Sequence, residues 1–191
     1  MNKTITEGFE NLYHYYPSVA SIVTCHARGK DNGMAAAWNF PLSHTPPIFG
    51  VCVSAKRFSY ELILEAGEFA VNFLPYSSIE LIERMGANSG RDVDKFARFS
   101  VAVEKAVKIG APLLKDAYAA YECRLLEHRL YGDHELVIGE VVAAHYDSEA
   151  FTAEGIIRPE RVSPALYIGG DKYLTLDKGS LRWLERQKYK L

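Results

Sequence analysis

Residues 19–72 read VASIVTCHA-RGKDNG-MAAAWNF-PLSHTPP-IFGVCVSA-KRFSYELILEAG-EFAVN, and this stretch decides the fold. Three short runs, 19–27, 34–40 and 48–55, are rich in apolar and β-branched residues and are separated by polar, small or proline residues. Runs of this length and composition favour strands over helices. The third leads straight into Lys56, Arg57 and Ser59, then into helical spacing over 60–66. Ser59 is expected to cap that helix, with Glu61 in its first turn and Gly67 after its end. An antiparallel strand set thus delivers two cations and two serines, Ser54 and Ser59, to a helix start. Unpaired N–H groups beside cations hold an anion, phosphate above all. The stretch is read as the seat of a phosphate-bearing cofactor, with the other elements closing a barrel behind it.

Within the stretch, Asn32-Gly33 is a strong hairpin signal and places a turn between the first two strands. Ala35, Ala36 and Ala37 are weak strand formers, so propensity did not select them. Three small side chains in a row fit either a flat group lying against the backbone or tight strand packing. The prolines of 41–47 have no N–H for a ladder, so this segment is no central strand. It is expected as a rigid loop carrying Ser43, His44 and Thr45 to a rim.

Outward from there, residues 7–16 place Phe9, Leu12, Tyr13 and Tyr16 at helical spacing before Pro17. They are expected to form a short helix or turn. Residues 68–74 give a fourth strand, and Ser77-x-x-Glu80 reads as a capping box for a helix over 78–87, with Leu81, Ile82 and Met85 inward. A turn-rich loop follows over 86–94, and Asp94 is placed to cap a short turn presenting Lys95 and Phe96. Residues 97–117 are ambiguous. Two strands, 118–130 and 135–146, flank Tyr131-Gly132-Asp133-His134. In the first, Tyr121, Cys123 and Leu125 are expected inside and Glu122 and Arg124 in water. Gly139 marks a bulge or a close backbone approach in a run expected deep in the barrel. Segments 163–170 and 173–175 are extended, and 178–191 are read as a closing helix. About six or seven strands, few helices and no β-α-β alternation favour a closed antiparallel barrel with peripheral helices.

The totals agree. At 191 residues and 48% hydrophobic content, the chain is read as one globular domain, long enough to bury a core without covalent staples. The formal charge of −2 gives no support to a nucleic-acid or membrane partner. Cys25, Cys52 and Cys123 are unpatterned and read as small buried hydrophobes. The opening MNKTITEGFENLYHYYP lacks the apolar core of a secretory signal, and no run reaches membrane-spanning length, so a cytoplasmic location is expected.

Hydrolase, P-loop, zinc-protease and calcium-loop motifs are absent. The histidines at 14, 26, 44, 128, 134 and 145 do not fall at ligand spacing, so no metal site is expected. No Rossmann glycine pattern occurs, so a nicotinamide would have to bind as a transient substrate. What remains is a set of rim groups: Ser43, His44, Thr45, Ser54, Lys56, Arg57 and Ser59, with Asn32, Lys95 and His134 added.

Taken with those groups, NGMAAAW, PLS, PPIFGVCV, KRFSYELI and EFAVN, then Asp94-Lys95-Phe96, Gly132-Asp133-His134 with ELVIGEVV, and Pro164 to Tyr173 resemble the flavin reductase-like proteins, in particular the flavoredoxin branch. The likeness spans about residues 12–175, leaving 176–191 as an extension. It implies a mainly β chain with peripheral helices, an antiparallel Greek-key split β-barrel that binds FMN non-covalently at a homodimer interface. Carried over, Asn32, Met34, Ala35, Ala36, Ala37 and Trp38 line the isoalloxazine. Ala35–Ala37 stand where family members carry Thr or Ser, so backbone N–H groups are the implied contacts. Ser54, Arg57 and Ser59 hold the 5′-phosphate, with Lys56 nearby and Lys95 on the same rim. His134 matches the residue close to the flavin and the incoming reductant. The implied activity is electron transfer from NAD(P)H through FMN to free flavin, ferric iron or a protein acceptor. An FMN-holding carrier without nicotinamide turnover is the alternative, and a pyridoxamine-phosphate-oxidase-like barrel is a third.

Overall fold

The β-branched run at the head of the decisive stretch forms a short strand β1 (Ser18–Val19) and then β2 (Ser21–Ala27), almost wholly buried. Residues 2–5, 7–8 and 16–184 are described in this computed structural model. The helix or turn expected over 7–16 therefore lies mainly outside the described residues.

β2 turns directly into β3 (Lys30–Ala36), Ala27 facing Lys30. The turn residues are Arg28 and Gly29, at φ 55° and 68°, which suits a two-residue hairpin. The expected Asn32-Gly33 turn is thus corrected, since both residues sit inside β3 opposite Cys25 and Thr24. Gly33 answers a packing need instead: a Cβ there would stand 2.7 Å from Met85 Cε.

β4 (Asn39–Ser43) and β5 (Ile48–Val53) follow. β4 is an edge strand, which is how Pro41 is tolerated, so part of the expected loop is in fact paired. A tight turn, with Arg57 N–H donating to Ser54 O at 2.9 Å, starts α1 (Phe58–Ala66). Arg57 is the N-cap and makes no side-chain cap, while Ser59 is buried in the first turn. The expected Ser59 cap is therefore absent, because its hydroxyl is engaged in the core. Gly67 ends the helix in the left-handed region, as its position predicted.

β6 (Glu68–Phe73) leads through a 3-10 turn (Tyr76–Ser78) into α2 (Ile79–Ala87). The capping box does not form, since that turn tightens the entry and Ser78 makes no side-chain bond. Ile82 and Met85 are buried against Ile22, Leu74 and Leu114. Asp94 caps α3 (Lys95–Arg98), accepting from Ala97 N–H at 3.0 Å. The ambiguous segment yields only the two-residue strands β7 (Val103–Glu104) and β8 (Leu113–Leu114), paired with each other.

The long hairpin of β9 (Ala119–Tyr131) and β10 (His134–Tyr146) completes the main sheet. Its order is β3-β2-β6-β9-β10-β5-β4, and every pair is antiparallel. β10 is less deep than its apolar run implied; only Val137 and Gly139 are fully buried. Gly139 sits at a bulge, where a Cβ would meet Cys123 Cβ and Phe69 Cζ, each at 2.8 Å.

Glu122 overturns the simple alternation of β9, being 0% exposed. It accepts from the N–H groups of Val107 (2.8 Å), Lys108 (2.6 Å) and Ile109 (3.1 Å) and bonds His145 Nε2 at 2.5 Å. Burial raises the Glu122 carboxyl, but these donors outweigh it and hold it below its ordinary value.

β11 (Leu166–Gly169) and β12 (Lys172–Leu174) join β1 in a three-stranded sheet. The closing helix is not found up to residue 184, where only a 3-10 turn (Lys178–Ser180) occurs; 185–191 lie outside the described residues. Among the described residues no helix is long and apolar enough to cross a membrane.

Candidate functional site

Three strand ends and one hairpin tip surround a cleft of about 840 Å³. The end of β3 contributes Met34, Ala35 and Ala36, continued by Ala37 and Trp38. The end of β5 contributes Cys52, Val53 and then Ser54 and Arg57. The β9–β10 tip brings Tyr131, Gly132, Asp133, His134 and Leu136, and β11 adds Tyr167. Three consecutive small side chains, Ala35–Ala37, beside the Trp38 ring make the β3 side of the cleft apolar.

At its Ala35–Arg57 end the cleft meets a smaller chamber of about 220 Å³. The two share Met34, Ala35 and Arg57, and the chamber adds Asn32, Lys56, Ser59, Lys95 and the loop residues Asn88, Ser89 and Gly90. All twelve residues proposed from sequence therefore line one or the other of these two adjoining spaces. The α1 start faces the chamber, and the amides of Phe58 and Ser59 in its first turn have no intrahelical acceptor. The chamber is therefore electropositive by side chain and by backbone.

Its buried polar groups are firmly held. Asn32 Nδ2 donates to Ser59 Oγ at 2.7 Å, both side chains being buried. Lys95 is only 3% exposed, and its Nζ donates to Met85 O at 2.9 Å and Asn88 O at 3.0 Å, so it also caps the end of α2. Burial pushes the Lys95 ammonium down to about 8, and the Arg57 charge adds to the effect.

At the other end, the His134 ring lies 4.8 Å from the Trp38 ring, tilted by 46°. His134 Nδ1 bonds Asp133 Oδ1 at 2.8 Å, and that pairing holds the Asp133 carboxyl below its ordinary value. With Nδ1 engaged, Nε2 is the ring nitrogen left for a ligand.

Sequence reasoning missed Tyr131, Leu136, Tyr167, Cys52 and the 88–90 loop. Tyr131 and Leu136 flank the Gly132-Asp133 turn that was singled out, so the turn was the available signal. Tyr167 and the loop come from distant segments and carry no local mark. Ser43, His44 and Thr45, expected at a rim, line neither space. A third, apolar cavity of about 710 Å³, lined by Val19, Phe40, Phe49 and Phe73 among others, adjoins the cleft through Ala37, Trp38 and Cys52. Burial raises the Cys52 thiol above its ordinary value, which disfavours the thiolate. Burial likewise pushes Cys25 and Cys123 up to about 12. Among the described residues no group of three His, Cys, Asp or Glu side chains is placed to hold a metal ion.

Known proteins share this fold. Residues 13–176 match the Flavin reductase like domain family. An FMN-binding protein from Thermus thermophilus, solved with bound 1-cyclohex-2-enone, is 35% identical and superposes with a TM-score of 0.85 over 95% of this chain and 99% of that one. A flavoredoxin from Methanosarcina acetivorans is 26% identical, with a TM-score of 0.85 over 98% of each chain. The reductase component of a FADH(2)-dependent resorcinol hydroxylase from Rhizobium sp. is 31% identical over 142 residues, 73% of this chain and 77% of that protein. A longer relative from Aeropyrum pernix is matched over 58% of its length. With the fold, the cleft and the family match over nearly its whole length in agreement, this chain belongs to the flavin reductase-like family and has its split-barrel fold.

Proposed function

We propose that the cleft and chamber together bind FMN, with the phosphate in the chamber and the ring against Ala35–Trp38, and that the protein is an NAD(P)H-dependent flavoprotein reductase. The observation that carries this reading is the junction of the two spaces at Arg57. A mainly apolar cleft adjoins a small cationic chamber there, in the order that a flavin ring, ribityl chain and phosphate require. The donor set fits a phosphate dianion: the Arg57 fork, the Lys56 and Lys95 ammoniums, and first-turn amides of α1. The small side chains of 35–37 leave space for a planar ring.

When bound, FMN supplies the hydride and one-electron chemistry. The chain binds and orients it. Arg57 and Ser59 fix the phosphate end, while the β3 backbone fixes the ring. Trp38 shields one side of the cleft and positions His134 by ring contact. Asp133 keeps the Nδ1 side of His134 occupied, so Nε2 meets the nicotinamide or the acceptor. Free flavin, ferric iron or a protein are the acceptors proposed. A homodimer is part of the proposal, since the cleft and the adjoining apolar cavity are open on a single chain and a second copy would cover them.

A second reading, an FMN-holding electron carrier reduced by another protein, is supported by the likeness to a flavoredoxin. Adding NADH or NADPH anaerobically to the FMN-loaded protein separates the two. Rapid bleaching of the flavin absorbance supports the reductase. No bleaching with either nucleotide, together with reduction by dithionite, supports the carrier.

A further inference from the structure

One wall of the proposed phosphate chamber, lined by none of the cleft residues, is formed by residues 88–90, between the end of α2 and the start of α3, with Arg91 following directly. Three separate ties hold it. Lys95 Nζ donates to Asn88 O at 3.0 Å, while Asn88 Nδ2 donates to Arg84 O at 2.8 Å. Gly90 is pressed against the opposite wall so closely that a Cβ would stand 2.1 Å from Asn32 Oδ1 and 3.2 Å from Phe58 Cδ1. Arg91 then reaches across to α1, its guanidinium 5.0 Å above the Phe58 ring and ion-paired with Glu61.

These contacts join α2 to β3 and α1 behind the chamber. The chamber they close measures about 220 Å³, against about 840 Å³ for the cleft. That is below the roughly 300 Å³ at which pockets for small molecules begin. A terminal phosphate is within the size of such a space, and a phosphate carrying a second nucleoside phosphate would have to leave it past the 88–90 wall.

We propose that the 88–91 loop, latched to α1 by Arg91, makes the site selective for a flavin mononucleotide over a flavin dinucleotide. The inference rests on the flavin reading above and adds the specificity element to it. Arg91 acts by holding the wall and does not touch the phosphate. Its ion pair and its stack on Phe58 are individually modest, so their loss loosens the loop without unfolding the barrel. Gly90 is the steric half of the latch: a side chain there cannot coexist with the present packing of the loop on Asn32.

The test is a titration of FMN, FAD and riboflavin, followed by flavin fluorescence, against the wild type, Arg91→Ala and Gly90→Ala, with thermal melts to check folding. The wild type is expected to bind FMN at least about tenfold more tightly than FAD. Arg91→Ala is expected to narrow that ratio about three- to tenfold, the scale of a lost exposed ion pair and stack. FMN and riboflavin should hold within about threefold. Gly90→Ala should narrow the ratio in the same direction. Equal binding of FMN and FAD by the wild type, or an unchanged ratio in both folded variants, would overturn the latch while leaving the flavin site intact. Failure of all three flavins to bind the wild type would instead overturn the flavin reading, and the latch with it.

Discussion

Asn32 on β3 and Ser59 on α1, 27 residues apart in the chain, share a buried hydrogen bond of 2.7 Å in the lining of the smaller chamber. The bond fixes the first turn of α1 against the hairpin strand, so the helix amides and the β3 wall keep one relative position. Ser59→Ala leaves the Asn32 amide buried without that acceptor. A loss of about 1–3 kcal/mol in unfolding free energy is expected. Chemical denaturation of the two proteins measures it, and equal midpoints would show that the pair is not structural.

Lys95 links chamber and pH. Its ordinary value is 10.5, and burial brings it to about 8. Only the ammonium attracts a phosphate, so its contribution is present below about pH 8 and declines as the pH rises through that value. FMN binding should therefore weaken from neutral to mildly alkaline pH, whereas riboflavin binding should stay level. Lys95→Met should flatten the FMN profile. Parallel profiles for FMN and riboflavin in the wild type would remove Lys95 from phosphate binding.

Glu122 carries a stability prediction of the opposite sign. Its folded carboxyl is lowered, so its stabilisation is present above the ordinary carboxylate range and is lost as the pH falls through the folded value. At neutral pH, Glu122→Gln should cost about 1.5–3 kcal/mol, because it replaces charge-assisted bonds to Val107, Lys108 and His145. The gap between variant and wild type should narrow as the pH falls below the ordinary carboxylate range and close beneath the lowered folded value. A gap independent of pH would mean that shape, not charge, is what Glu122 supplies.

Much of this was legible in the sequence because it was local. Runs of β-branched residues became strands, Gly67 and Asp94 punctuated helices as their chemistry requires, and Gly139 marked a bulge. The site residues came together because Trp38, Arg57 and His134 stand just past or at the ends of strands β3, β5 and β10, which belong to one sheet. The misreadings share one cause. Gly33, Ser59 and Glu122 were assigned local roles (turn, cap and wet face), whereas partners distant in sequence decide them: Met85, Asn32 and the 107–109 backbone. No periodicity announces such a partner. The same holds for Tyr167 and the 88–91 loop, which reach the site only through the fold.

Arg57 stands where cleft and chamber meet, and the central claim turns on what it holds. A charge-assisted contact to phosphate is worth about 1.5–3 kcal/mol, or roughly 10- to 150-fold in affinity. Titrating FMN and riboflavin against the wild type and Arg57→Ala measures that contact directly. The account predicts that the wild type binds FMN far more tightly than riboflavin, that Arg57→Ala loses FMN by that factor, and that riboflavin binding hardly changes. Added salt should weaken FMN binding more in the wild type than in the variant. Equal losses for both flavins, or none for either, would contradict it.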